Sequence, residues 1–177
     1  MSIDREKVPV AVIAAAGGEL VSRIRLQKTV YLLDRLGLGS GFAYAYHHYG
    51  PYSRELDNAV WEAEAFGLIE ERQGRRASDG APFSIFKMTE QATVDEAAYG
   101  SLGERRVADL VDLFAKTNLT VLELAATAYW LWKDEGRADW RDEIEKRKGV
   151  KTEGGRLDKA IAFLKDLGLA PRQSAVV

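Results

Sequence analysis

The chain has 177 residues, of which 46% are hydrophobic and 29% charged, with a formal net charge of −2 and an isoelectric point near 5.8. That balance suits one large domain, or two small ones sharing a core, and gives no overall basic field to draw nucleic acid. The absence of cysteine excludes disulfides, thiol catalysis and cysteine-ligated metal. No stretch approaches the ~18 apolar residues of a membrane helix. The polar start and the short, alanine-rich residues 8–16 do not make a secretory core, so a cytoplasmic protein of bacterial style with no membrane partner is expected.

In chain order, residues 5–16 predict a helix closed by Gly17 and Gly18, with Pro9 tolerated only in its first turn. Residues 22–36 predict a second helix. Leu26, Val30, Leu33 and Leu36 share one face, and Arg23, Lys28 and Arg35 lie outside it. Gly37-Leu38-Gly39 stops this helix. Residues 42–49 alternate aromatic and other side chains with period two, which predicts a strand on which His47 and His48 point to opposite faces. Gly50-Pro51-Tyr52-Ser53 predicts a turn with Ser53 as the N-cap of a third helix, 54–66, that buries Leu56, Val60 and Trp61. Strands follow at 68–73 and 82–88, and residues 74–81 between them have the composition of a wing loop.

The second half is helical throughout. Val107, Leu110, Val111 and Phe114 form a stripe on a helix over 104–116. Thr120 and Glu123 have capping-box spacing, and the helix behind them, 121–132, is apolar nearly all round, so it is expected to be buried and to join the two halves. Helices at 139–148 and 152–167 complete the chain, with Trp130, Trp132 and Trp140 in the core and a disordered tail beyond Pro171.

Two segments share a pattern. Leu56-Asp57, Ala59, Val60 and Gly67-Leu68 recur at the same offsets as Leu157-Asp158, Ala160, Ile161 and Gly168-Leu169. A helix that ends on an apolar-Gly-apolar triplet places its glycine in the left-handed conformation and leaves as an extended chain. In the first copy that chain enters the hairpin at 68–88. The expected fold is therefore mainly α with a small β-hairpin: a winged helix-turn-helix-like unit over 1–95, packed on a helical unit over 96–177 with a second helix-turn-helix-like motif, together one integrated domain.

The chemistry-bearing residues are sparse. Adjacent histidines on opposite faces cannot share a site, no phosphate-binding glycine loop is present, and the carboxylates have the spacing of solvated faces. No enzyme, cofactor or metal is expected. The third helix has Arg54 against Glu55, Asp57, Glu62 and Glu64, a net −3 on the element that would meet DNA phosphates. Nucleic acid would then have to be met by the wing, through Arg72, Arg75 and Arg76, or by the second helix. Lys146, Arg147, Lys148 and Lys151 place four bases in six residues between the last two helices, an exposed place for an acidic partner. Tyr44, Tyr46, Tyr49 and Tyr52 cluster around the turn, and outward tyrosines suit protein contact, so Tyr49 and Tyr52 join the candidate binding residues.

Arg25-Leu26-Gln27-Lys28-Thr29-Val30-Tyr31-Leu32-Leu33, followed by Tyr49-Gly50-Pro51-Tyr52-Ser53, resembles the YwgA-like proteins, related in pattern to the Panacea or SocA-like antitoxin domain. The resemblance implies a non-enzymatic helical domain that grips a partner protein; in SocA-like antitoxins that partner is a toxin, held inactive or handed to a protease. It carries over Gln27, Lys28, Tyr49, Gly50 and Pro51 as family-pattern positions, with a structural role in which Gly50-Pro51 sets a turn that Gln27 or Lys28 ties down by hydrogen bonds. The expected function is a non-catalytic protein-binding regulator, antitoxin-like or associated with phage defence, acting on a toxin or regulator. The alternative is a DNA-binding winged-helix regulator using the wing and second helix. A homodimer remains open.

Overall fold

The structure, a computed structural model, describes residues 3–172. It is mainly helical with a small antiparallel sheet, and it divides into two compact units. Among the described residues the first holds 3–45 and 52–116, and the second holds 46–51 and 117–172. The expected disorder beyond Pro171 falls on residues outside the described range, Arg172 apart.

The first unit is built on α1 (Lys7–Ala15), α2 (Arg23–Arg35), α3 (Arg54–Ala65) and α4 (Glu104–Lys116), with β1 (Glu19–Val21), β4 (Ile69–Arg75) and β5 (Pro82–Met88). The sheet order is β1-β5-β4, antiparallel throughout, with Leu20 opposite Phe86 and Phe86 opposite Glu71. At three residues, between a helix-closing Gly-Gly pair and the N-cap Ser22, β1 is too short to show an alternation and was not expected. Ser22 caps α2 by accepting the Arg25 N–H at 3.2 Å. Burial on α2 is wider than one stripe: every residue from Leu26 to Leu33 is buried, Lys28 included at 2% exposure. The placement of Lys28 outside is thereby corrected, since a helix packed on several sides has no free polar face.

The strand expected at 42–49 is mostly irregular chain. Only β2 (Ala45–His47) is extended, and it pairs with β3 (Gly50–Tyr52), so the turn lies at His48 and Tyr49 instead of at Gly50-Pro51. Side chains, not a ladder, hold residues 42–44. Phe42 N–H donates to Ser40 Oγ at 3.1 Å, Ala43 N–H to Glu55 Oε2 at 2.9 Å, and Tyr44 O–H to Asp34 Oδ2 at 2.6 Å. The aromatic alternation marks anchors here.

Ser53 caps α3, accepting the Leu56 N–H at 3.2 Å, as its position before the helix led one to expect. Leu56, Ala59, Val60 and Ala63 face the core, whereas Trp61 is 67% exposed. Trp61 follows Val60 by one residue and so sits ~100° round the helix from the buried stripe, which corrects its assignment to the core. The loop between β4 and β5 shrinks to residues 76–81 because the ladder extends to Arg75 opposite Pro82. On α4 the whole expected stripe of Val107, Leu110, Val111 and Phe114 is buried.

The second unit comprises α5 (Leu119–Tyr129), a π turn at Trp130–Asp134, α6 (Trp140–Lys148), a 3-10 turn at Gly149–Thr152 and α7 (Arg156–Asp166), with α5 packed chiefly on α7. Asn118 caps α5: its Oδ1 accepts the N–H groups of Thr120 and Val121 at 3.0 and 3.3 Å, in place of the expected capping box. Glu123 is drawn elsewhere, as described below. Of the three tryptophans assigned to the core, Trp140 is buried and Trp130 and Trp132 are half-buried. The repeated pattern is a shared helix ending. Gly67 and Gly168 have φ of 70° and 74°, and Leu68 N–H and Leu169 N–H bond back to Ala63 O and Leu164 O at 2.9 and 2.8 Å. Among the described residues only the first copy continues into a strand.

Candidate functional site

In the second unit the hairpin tip and the basic segment come together around one carboxylate. Glu123 is 3% exposed, on the face of a helix that is buried along nearly its whole length. Lys148 Nζ lies 2.8 Å from Glu123 Oε1 and also donates to the His48 carbonyl at 3.2 Å. Lys151 Nζ reaches the same carboxylate at 3.0 and 3.2 Å and stands 5.2 Å from the centre of the Tyr49 ring. Burial, opposed by Glu123, holds the Lys148 ammonium below the ordinary lysine pKa. Two cations on one buried carboxylate thus clamp the turn of the hairpin.

Arg147 adds a second clamp. Its guanidinium lies 4.5 Å over the Tyr46 ring and donates to Glu143 at 2.6 Å and to both oxygens of Glu135 at 2.9 and 3.0 Å. Those bonds, with a third from Trp130 Nε1–H, keep the Glu135 carboxyl below its usual range. The segment 146–151 is therefore not the open basic patch expected from its sequence. Lys148 is buried, Arg147 and Lys151 are engaged, and Lys146 alone of the four is fully exposed. Arg156 seals the connection by donating to the Lys151 and Val150 carbonyls.

In the first unit Gln27 ties α2 to the start of α3. Its Oε1 accepts the Ser53 N–H at 2.8 Å and its Nε2 donates to the Ser53 carbonyl at 2.9 Å, so one amide satisfies both backbone groups of a fully buried residue. Nε2 also reaches Asp57 at 3.0 Å. Asp57 accepts from Tyr52 O–H at 2.6 Å and from Arg23 at 3.1 Å, and Arg23 continues to Glu71 at 2.7 and 2.9 Å. Ser84 O–H donates to Glu71 at 2.6 Å. The Asp57 hydrogen bond, with burial, raises the Tyr52 pKa. Tyr52 is thus anchored to α3, while Tyr49 is 42% exposed and Gly50 and Pro51 are buried. The tie from Gln27 to the end of the turn is one the family pattern led one to expect, whereas the bonds among Arg23, Asp57 and Glu71 had no signature in sequence, since these residues are far apart along the chain.

The arginines of the β4–β5 hairpin, Arg72, Arg75 and Arg76, stay at the surface with local partners. Arg72 pairs with Glu70 at 3.2 Å, Arg75 donates to the Gly80 carbonyl at 3.0 Å, and Arg76 makes two bonds to Asp79 at 2.9 and 2.8 Å. Among the described residues no group of three or more His, Asp or Glu side chains is placed to hold a metal ion, and no helix is long and apolar enough to cross a membrane.

No protein-family model matches the chain. It is 30% identical over 139 residues to a DNA ADP-ribosyl glycohydrolase of Thermus aquaticus, a match covering 73% of this chain and 35% of that protein. It is 25% identical over 155 residues to the uncharacterised protein YwgA of Bacillus subtilis, covering 85% of this chain and 89% of YwgA. The chain is YwgA-like in sequence. It spans about a third of the length of the glycohydrolase it matches. That similarity also corrects the expectation of a protein that is no enzyme, because it points to enzymatic work. Hydrolysis at a glycosidic carbon can run on carboxylates alone, and in sequence such carboxylates look like any solvated face.

Proposed function

We propose that this chain serves the turnover of ADP-ribose on DNA and does so through contact with a partner protein. The observation that carries the chemistry is the match to a DNA ADP-ribosyl glycohydrolase over most of the chain. The observation that favours a protein partner is the charge of α3. We read the helix-strand-helix-helix-strand-strand order of the first unit, with its sheet order β1-β5-β4, as a winged helix. In that arrangement α3 takes the place of the helix that enters the DNA groove, yet four of its side chains are acidic and Arg54 is its one cation. Such a surface repels phosphates and attracts cationic protein. The Leu-Gln-Lys and Tyr-Gly-Pro pattern supports an antitoxin-like way of working, in which a partner is held by this chain.

Mass spectrometry of digested DNA from cells with and without the gene tests the proposal. ADP-ribosylated nucleotides are expected to rise several-fold without it, and unchanged levels would remove the reading. A second reading, DNA contact through the wing, is favoured by the 68% and 62% exposure of the Arg72 and Arg76 side chains. It requires that replacing Arg72, Arg75 and Arg76 by alanine weakens DNA binding and flattens its salt dependence.

A further inference from the structure

Trp61 and Phe66 are the two large aromatic side chains of α3 and its C-cap, and they are 67% and 68% exposed. Asn58, Glu62, Glu64 and Ala65 around them are exposed as well. Solvent-facing tryptophan is costly to leave bare and is enriched where proteins bind one another. The carboxylates of the helix divide by role. Glu55 and Asp57 in the first turns are used internally, by Ala43, Arg5, Arg23, Gln27 and Tyr52. Glu62 makes no ion pair among the described residues, and Glu64 only meets the Glu71 N–H at 3.5 Å.

Beside this face lies an open groove of about 670 Å³, which begins at Glu64 and Gly67 and runs along β4 and β5 past Glu70, Arg72 and Lys87 to Glu90. Arg72 is already paired with Glu70, and Glu64 and Glu90 outnumber the remaining cation of the groove, Lys87. We infer that the C-terminal half of α3 and this groove form a docking surface for a protein segment carrying lysine or arginine next to a large apolar residue. The apolar residue covers Trp61, and the cation meets Glu64, one turn along the same face of the helix, and Glu90 across the groove. The inference rests on the protein-contact reading above. Nucleic acid is opposed by the same carboxylates, and a second copy of the chain would bring them against themselves across a two-fold axis.

Random peptides displayed on phage and selected on the immobilised full chain test this. Enrichment of Lys or Arg beside Leu, Phe or Trp is expected. The synthesised peptides should bind at least about tenfold more weakly to Trp61→Ala/Phe66→Ala and to Glu62→Lys/Glu64→Lys, whose melting temperatures, as exposed-site variants, stay near that of the unmodified chain. Peptides that bind both variants undiminished overturn the inference. So does DNA binding or self-association that is lost in the aromatic variant. If either folded variant keeps ADP-ribosylated DNA at its normal level in cells, the surface is wrong while the broader function stands; a rise only on deleting the gene separates the two.

Discussion

At the scale of single residues, the tightest constraint is Gln27. One amide closes the N–H and carbonyl of Ser53 and touches Asp57, so Gln27→Ala leaves the buried Ser53 N–H without its partner and the carbonyl with only the long 3.4 Å bond from Asp57 N–H. The expected cost is roughly 2–4 kcal/mol, seen as a melting temperature lower by about 5–15 °C. A melt within about 2 °C of the unmodified chain would show that the junction is held by something else. Gly100 is a second such point. A Cβ there would stand 1.8 Å from the Leu38 carbonyl oxygen, at φ +53°, so Gly100→Ala must displace backbone and is expected to reduce the yield of folded protein sharply. Gly100 looks in sequence like any loop glycine, whereas the family pattern made Gln27 legible as a tie to the Gly50-Pro51 turn, though not as the partner of both Ser53 backbone groups. Ser53 was legible as a cap, because capping depends on neighbours a few positions away.

At the scale of elements, local chemistry was readable and tertiary demand was not. The helix Glu104–Lys116 follows its stripe to the residue, since spacing alone decides which side of an isolated amphipathic helix is buried. Trp61 and Lys28 went astray because a large apolar residue need not face inward and a lysine need not face out. Glu123 was read as half of a capping box; burial beside Lys148, with side chains 4% and 3% exposed, makes it the centre of a clamp instead. Glu123→Gln strands a buried ammonium, at an expected cost of about 3–5 kcal/mol near neutral pH. The pH dependence follows from the lowered Lys148 pKa, against 10.5 in the unfolded chain. Between those two values the unfolded state binds more protons, so this group's contribution to stability rises with pH across that window. Glu123→Gln removes the partner that raises the Lys148 pKa and moves the folded value lower still. The variant's deficit should therefore shrink as pH is raised from about 7 towards 10, and a deficit that is constant or grows in urea titrations over that range would contradict the clamp.

At the scale of the whole molecule, the sequence disclosed a mainly helical protein and a YwgA-like pattern, but not the similarity to a DNA ADP-ribosyl glycohydrolase. That similarity is 30% identity over 139 residues. Charge is the molecular property that bears on the partner. A net −2 overall, with an acidic α3 and β4–β5 hairpin arginines each held by a neighbour, is the ground for proposing a protein partner over a phosphate backbone. Replacing Arg72, Arg75 and Arg76 by alanine is accordingly expected to leave the melting temperature and the ADP-ribose content of cellular DNA unchanged, and a rise in that content would transfer the role to the wing. The most direct test of the central claim is the amount of ADP-ribosylated nucleotide in DNA from cells that have or lack this gene, measured by mass spectrometry. The account expects a several-fold accumulation without the gene, reversed when it is restored; equal amounts in both would contradict it.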